Sequence, residues 1–292
     1  MFTIYDEDFE AVPLPLDDLG YGLKALDVNI SSVAQDINEH FISGIPGSVI
    51  TGFTDRSREM NIIARIKAKD TTDFRLKRDR VFAFFKRLGT FYITENNQGN
   101  KLMKVRVTDS YRLDRIENNQ TFSIAEIPLK IIGQPYWISR YKSMDLHEND
   151  GVPFNSRWSF GMGLDVDPNR LKYQFSNQPS FVVYNAGTVP LKTIQEKDNC
   201  LITIEVKQTV TDFRVRDTTG KYFEYNPKKD SKWALSSGNK VTLNGHYIHV
   251  GNTSAIDRTN RYFPIILSGD NLFTVEGLST YTITFDFCFK YD

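Results

Sequence analysis

The chain has 292 residues, enough for one large or two ordinary domains. Lys plus Arg and Asp plus Glu number 36 each, so the formal charge is zero, which argues against a nucleic-acid coat or a polybasic membrane binder. Hydrophobic residues make up 40% and aromatics 13%, a globular balance whose aromatic bias favours pleated, half-buried β surface.

No apolar run approaches the roughly 18 residues that a membrane-spanning helix needs. The start, MFTIYDEDFE, is acidic and lacks both a basic n-region and an apolar core, so no signal peptide is expected. Cys200 and Cys288 are far apart, each inside an alternating pattern, and are expected to be buried free thiols in a reducing compartment.

Residues 1–50 read as irregular, with acidic, turn-rich DEDFE and PLPLDDLG, a strand at 24–32 and a Pro-Gly turn in IPGSVITG. In MNIIARIKAKD, Ile62, Ala64, Ile66 and Ala68 alternate with Ile63, Arg65 and Lys67, the period of a strand with one buried face. The stretch 71–89 predicts a helix. Thr72 or Asp73 caps it, Phe74, Val81, Phe82, Phe85 and Leu88 form its apolar stripe, and Gly89 stops it. The other face is basic: Arg75, Lys77, Arg78, Arg80, Lys86 and Arg87.

Three strands follow, in TFYITEN, in KLMKVRV with Met103, Val105 and Val107 on one face, and in TFSIAEIPLKIIG. The apolar parity changes between Ile124 and Ile127, which predicts a bulge near Ala125–Glu126, and Pro128 suits an edge or that bulge. Residues 134–158 show no clear period and read as an interdomain connection. Beyond them, PSFVVYNAGTVP, CLITIEVKQ, KVTLNGHYIHV and YTITFDFCFKYD read as strands and hairpins of a sandwich. In CLITIEVKQ, Cys200, Ile202, Ile204 and Val206 point inward, and Asn244-Gly245 takes the tight-turn position of its hairpin. FPIIL and LFTVE form a further hairpin, with Gly269 and Asn271 at positive φ. The last strand puts Tyr281, Ile283, Phe285, Phe287, Phe289 and Tyr291 on one face.

Motifs for chemistry are scarce. His246 and His249 point to opposite faces of a strand and cannot share a metal, and DVDPN at 165–169 lacks the later ligands of a calcium loop. There is no nucleophile elbow, phosphate loop or dinucleotide fingerprint. No catalytic residue, cofactor or metal is expected. Trp158, Trp233 and Tyr247 are aromatic candidates for stacking on a sugar ring.

The order of REMNIIARIKAKD, FRLKRDRVFAFFKRLG, FYITE and FSIAEIPLKIIGQPYWIS resembles the amino-terminal domain of the distal tail proteins of siphophages that infect Gram-positive bacteria. VVYNAGTVPLKTIQEK and RYFPIILSGDNLFTVEG with YTITFDFCFKY resemble the carboxy-terminal domain of the same family. The resemblance implies a mainly β chain with a β-rich, split-barrel or sandwich-like ring-forming domain carrying one helix (residues 1–140). It also implies a connecting segment (141–160) and a galectin-like or carbohydrate-module-like β-sandwich (161–292). It implies a structural, non-enzymatic virion protein, assembled in the bacterial cytoplasm as a homohexameric ring. That ring joins the tail tube protein to the tail-tip hub, carries receptor-binding proteins, and lets DNA through its lumen without specific binding or membrane insertion.

Within the ring that the resemblance implies, charge suggests that the acidic start (Asp6, Asp8, Glu10) of one subunit meets the basic helix (Arg75, Arg78, Arg80) of the next, a head-to-tail contact that generates a ring when its rotation closes. The runner-up is a carbohydrate-binding adhesion module gripping a cell-wall glycan directly. A glycan hydrolase would need two facing carboxylates, and none is marked out.

Overall fold

The computed structural model describes residues 1–115, 117–148 and 163–292. Trp158 and much of the 141–160 segment lie outside them. The chain divides into two compact units, residues 1–137 with Asp292, and residues 138–291.

The first unit contains β1 (Phe2–Tyr5), β2 (Ala11–Val12), β3 (Gly22–Ile30), β4 (Gln35–Phe41), β5 (Ser48–Asp55), β6 (Met60–Lys67), α1 (Thr71–Leu88), β7 (Thr90–Glu95), β8 (Lys101–Arg106) and β9 (Phe122–Ile131). Seven of the strands form one antiparallel sheet in the order β2-β1-β7-β8-β9-β6-β3, which does not close into a barrel. The alternation read in β6 holds: Ile62, Ala64 and Ile66 are fully buried and Ala68 nearly so. They share a core with Leu23, Phe91, Ile93, Val105 and Ile127.

The cap of α1 is Asp70, two residues before Thr72 and three before Asp73, the expected caps. Its carboxylate accepts from the Thr72 and Asp73 amides at 2.9 and 2.8 Å, satisfying two orphan donors. Gly89, at φ 69°, ends the helix as the sequence indicates. The buried stripe is Phe74, Lys77, Val81, Phe84 and Phe85, whereas Phe82 faces solvent. Each fully buried Phe or Val contributes about 1.5–3 kcal/mol.

The bulge expected in β9 is absent. The β6–β9 register runs unbroken from Met60↔Leu129 to Lys67↔Phe122. The parity change instead leaves Phe122 and Ile124 on the outer face, 50% and 61% exposed. Pro128 lies where β9 pairs with β6 alone among the described residues, since pairing with β8 is confined to Lys130 and Ile131. A proline needs such a one-sided position because it has no amide hydrogen to give.

In the second unit, β10 (Trp137–Lys142) leads in and α2 (Ser143–Glu148) follows, so regular structure replaces the expected aperiodic connection here. Then come β11 (Gln174–Ser176), β12 (Ser180–Asn185), β13 (Leu191–Lys192), β14 (Cys200–Val206), β15 (Phe213–Arg216), β16 (Tyr222–Tyr225), β17 (Lys240–Asn244), β18 (Tyr247–Val250), β19 (Thr253–Ser254), β20 (Ile265–Ile266), β21 (Gly269–Glu276) and β22 (Tyr281–Tyr291). One sheet runs β19-β18-β17-β14-β22-β10, with β11 also on β22, and the other runs β12-β21-β15-β16. Phe285 of the first sheet meets Phe181 and Phe273 of the second at 5.9 and 4.9 Å between ring centroids, so the aromatic alternation of β22 builds a sandwich core.

The second face of β22 is covered too. Thr282, Cys288 and Lys290 are buried, and the Ser143 hydroxyl donates to the Phe285 carbonyl while accepting from the Phe287 amide. Cys200 is paired with Phe287, so it shares the face opposite Cys288. Both thiols are free and buried, and burial pushes Cys288 up to about 12.

Two turn expectations are corrected. The β17–β18 turn is Gly245-His246, one residue later, because Asn244 pairs with Tyr247. Positive φ falls on Gly245 at 58°, the pattern of a turn with glycine first. FPIIL and LFTVE do not form a hairpin: β20 pairs with β13, while β21 pairs with β12 and β15. Gly269 has positive φ as expected, but Asn271 is a buried strand residue. Its side chain accepts from the Leu267 amide and donates to the Leu267 and Gly269 carbonyls, clamping the bend between the two strands.

Candidate assembly surface

The sequence from β3 to β6 folds as one long ribbon. β3 pairs with β6, the Ser31 amide donates to Glu59 and the Arg56 amide to Ala34, and β4 pairs with β5 beyond them as a separate two-stranded sheet. Directly paired residues share a face. Ile37↔Phe53, Glu39↔Ile50 and Phe41↔Ser48 therefore make one side of the hairpin, and Asp36↔Thr54, Asn38↔Gly52 and His40↔Val49 the other. A register shift at Asn38/Glu39 brings Ile50 onto the same side as Phe53. Ile37, Phe41, Ile50 and Phe53 are 55%, 76%, 55% and 63% exposed. Ile42 and Ile45 at the tip are exposed as well.

A two-stranded hairpin is marginal by itself in water, and its exposed apolar side makes it a candidate interaction surface. Residues 35–55 carry Asp36, Glu39 and Asp55 with no Lys or Arg. Asp36 is held by Arg56, and Asp55 by Gln35 and the Tyr136 hydroxyl at the base. Glu39, near the tip, accepts from the Ser48 hydroxyl and has no ion-pair partner among the described residues.

On the helix side, a cavity of about 320 Å³ opens between the end of α1 and the segment after β8, lined by Phe82, Phe85, Lys86, Arg106, Asp109 and Tyr111 among others. Phe82 and Phe85 meet the Tyr111 ring edge-on at 5.2 and 6.2 Å. Burial pushes the Tyr111 phenol up to about 12, and its hydroxyl has no hydrogen-bond partner among the described residues.

The interface residues expected from charge are not brought together within one chain. The Asp6 carboxylate is spent on the amides of Asp8 and Glu10, shaping the β1–β2 turn. Asp8 and Glu10 are exposed, as are Arg75 and Arg80, while Arg78 pairs with Asp79. The acidic–basic match is made in part inside the chain: the Lys77 ammonium lies 2.7 Å from Asp17, and this hydrogen bond holds the Asp17 carboxyl below its usual range. Of the aromatic candidates, Trp233 is flanked by Lys232 and Arg258, and Tyr247 lies between the rings of His246 and His249 with Lys197 over its face. In DVDPN, Asp167 accepts from the Asn169 amide and pairs with Arg170, and no group of metal-ligating side chains exists among the described residues. No helix among them is long and apolar enough to cross a membrane.

The sequence reading missed the β4–β5 hairpin and the Tyr111 cavity. Only the run of apolar residues in FISGIPGSVITGF hinted at the first.

Residues 21–125 match the phage tail protein RIFT-related domain. No curated protein sequence matches the chain. The crystal structure of the SPP1 Dit (gp 19.1) protein, described as a paradigm of the hub adsorption apparatus in phages infecting Gram-positive bacteria, superposes with a TM-score of 0.63. The two are 13% identical, over 99% of each chain. The phage p2 baseplate in its activated conformation with strontium matches at a TM-score of 0.38 and with calcium at 0.39, each at 12% identity over 98% of this chain and 97% of that one. Residues 21–125 are thus similar to a phage tail RIFT-related domain, and the chain has, over nearly its whole length, the fold of the SPP1 Dit protein.

Proposed function

We propose that the protein is a structural, non-catalytic component of a phage tail tip. Six copies close a ring through the first unit, the ring joins the tail tube to the baseplate hub, and the second unit serves as an attachment platform for receptor-binding proteins. The observation that carries this reading is the β4–β5 hairpin, whose apolar side has nothing to cover it within its own unit. A surface that needs a partner, on a chain with no net charge to oppose association, suits head-to-tail assembly, which closes into a ring when its rotation permits. The fold shared with the SPP1 Dit protein supports the same reading. Asp8, Glu10, Arg75 and Arg80 stay exposed and are available to the same contact.

The test is the solution mass of the purified chain by size exclusion with light scattering. The expected value is near six times the chain's 33.6 kDa. A monomer at every concentration would refute self-closure of the ring.

A further inference from the structure

The hairpin presents an exposed apolar tip, and the same unit contains an aromatic cavity with cations at its rim. The tip offers Phe41, Ile42 and Ile45, all exposed, with Glu39 on the same side as Phe41 and no cation near it among the described residues. The cavity beside α1 offers aromatic walls, Phe82 and Tyr111, and two cations at its rim, Lys86 and Arg106, that form no ion pair among the described residues. Asp109 also lies on that rim, so the local excess is one positive charge.

The Tyr111 hydroxyl is buried behind the aromatic wall and makes no hydrogen bond among the described residues, so the ring rather than the hydroxyl is what the cavity offers a partner.

We propose that the hairpin tip of one copy seats in the Phe82–Tyr111 cavity of a second copy, with Phe41 and Ile42 against the rings and Glu39 against Lys86 and Arg106. The proposal rests on the ring reading and names its donor and acceptor surfaces. Donor and acceptor are different patches of one chain, so the contact is heterologous and propagates from copy to copy. Phe122 and Ile124 on the outer face of β9 are the competing acceptor. Lys67 and Arg65 stand opposite them, and the Arg65 Nε is itself buried without a hydrogen-bond partner among the described residues, so experiment must separate the two acceptors.

The experiment uses the full chain with Ile42→Cys and Ser110→Cys, Ser110 lying on the cavity wall. Cys200 and Cys288 are buried and inert at neutral pH, so the unaltered chain is the control. After mild oxidation, non-reducing gels should show a ladder of linked copies for the double variant and none for the control or either single variant. Phe41→Asp should shift the chain from ring mass to monomer with the first unit still folded by circular dichroism, because Phe41 touches no core. A charge exchange, Glu39→Lys with Lys86→Glu, should restore assembly lost in Glu39→Lys alone. If the unaltered chain has ring mass but the ladder forms only for Ile42→Cys with Ile124→Cys, or for neither pair, the acceptor assignment is overturned and the ring reading stands. If the unaltered chain is a monomer, both fall.

Discussion

Glu196 and Lys290 are joined as an ion pair inside the second unit, each side chain 2% exposed. Lys290 projects from β22, and Glu196 follows the short 193–195 turn, where its carbonyl accepts from the Asn199 and Cys200 amides ahead of β14. Burial pulls Lys290 below the ordinary lysine range, and the charge of Glu196 opposes that pull. Replacing Glu196 by Gln leaves a buried ammonium without its counter-charge, and Lys290→Met leaves a buried carboxylate. Removing one partner of such a pair costs about 3–5 kcal/mol. Glu196→Met with Lys290→Met removes both charges and should recover most of that loss, since well-packed apolar replacements are often neutral or better.

The pH dependence supplies a second signature. In Glu196→Gln the folded pKa of Lys290 lies below its unfolded value of 10.5, so between the two the unfolded chain binds the extra proton. Stability of that variant should therefore rise with pH across this window relative to the unaltered chain, and the gain should level off above 10.5. Urea titration of the full chain at several pH values, following the transition of the second unit, reads both effects as midpoint shifts at constant slope. Single variants that each lose less than about 1 kcal/mol, or a double variant whose loss equals the sum of the singles, would refute the reasoning.

Two further outcomes follow from local geometry. Gly187→Ala would place a methyl carbon 2.5 Å from the Lys290 carbonyl oxygen and 2.7 Å from its amide nitrogen, so β22 must move. The expected loss is about 1–3 kcal/mol in the same transition, and wild-type stability would show that the backbone yields freely. Asp70→Ala deprives the Thr72 and Asp73 amides of their acceptor. It should lower the stability of the first unit by about 0.5–2 kcal/mol, with Asp70→Asn recovering most of it in a thermal melt.

What the sequence revealed depended on whether packing within one chain decides the pattern. In β22 six aromatic or branched side chains alternate because they all enter one core, and that strand was readable from its residues alone. β6 is the same case. The β4–β5 hairpin has an equally clear apolar side, yet Ile50 and Phe53 are three apart in sequence and share it only because of the register shift opposite Asn38/Glu39. No period of two survives such a shift. Asn271 was misread for a related reason: its amide suits a turn, but here the side chain makes the turn's hydrogen bonds from inside a strand. The Tyr111 cavity combines α1 with a segment beyond β8, and the Glu196–Lys290 pair spans 94 positions, so neither leaves a local trace.

The misread β9 parity carries the most functional content. Phe122 and Ile124 break the core alternation without a bulge, so the fold gains nothing from their being apolar. The same holds for Ile37, Phe41 and Phe53 in the hairpin and for Leu76 on α1. All six lie in the first unit, on positions where a soluble monomer would place polar residues. Apolar side chains in excess of what the unit's own core uses, spread over several of its elements, are the surface that the proposed assembly would cover.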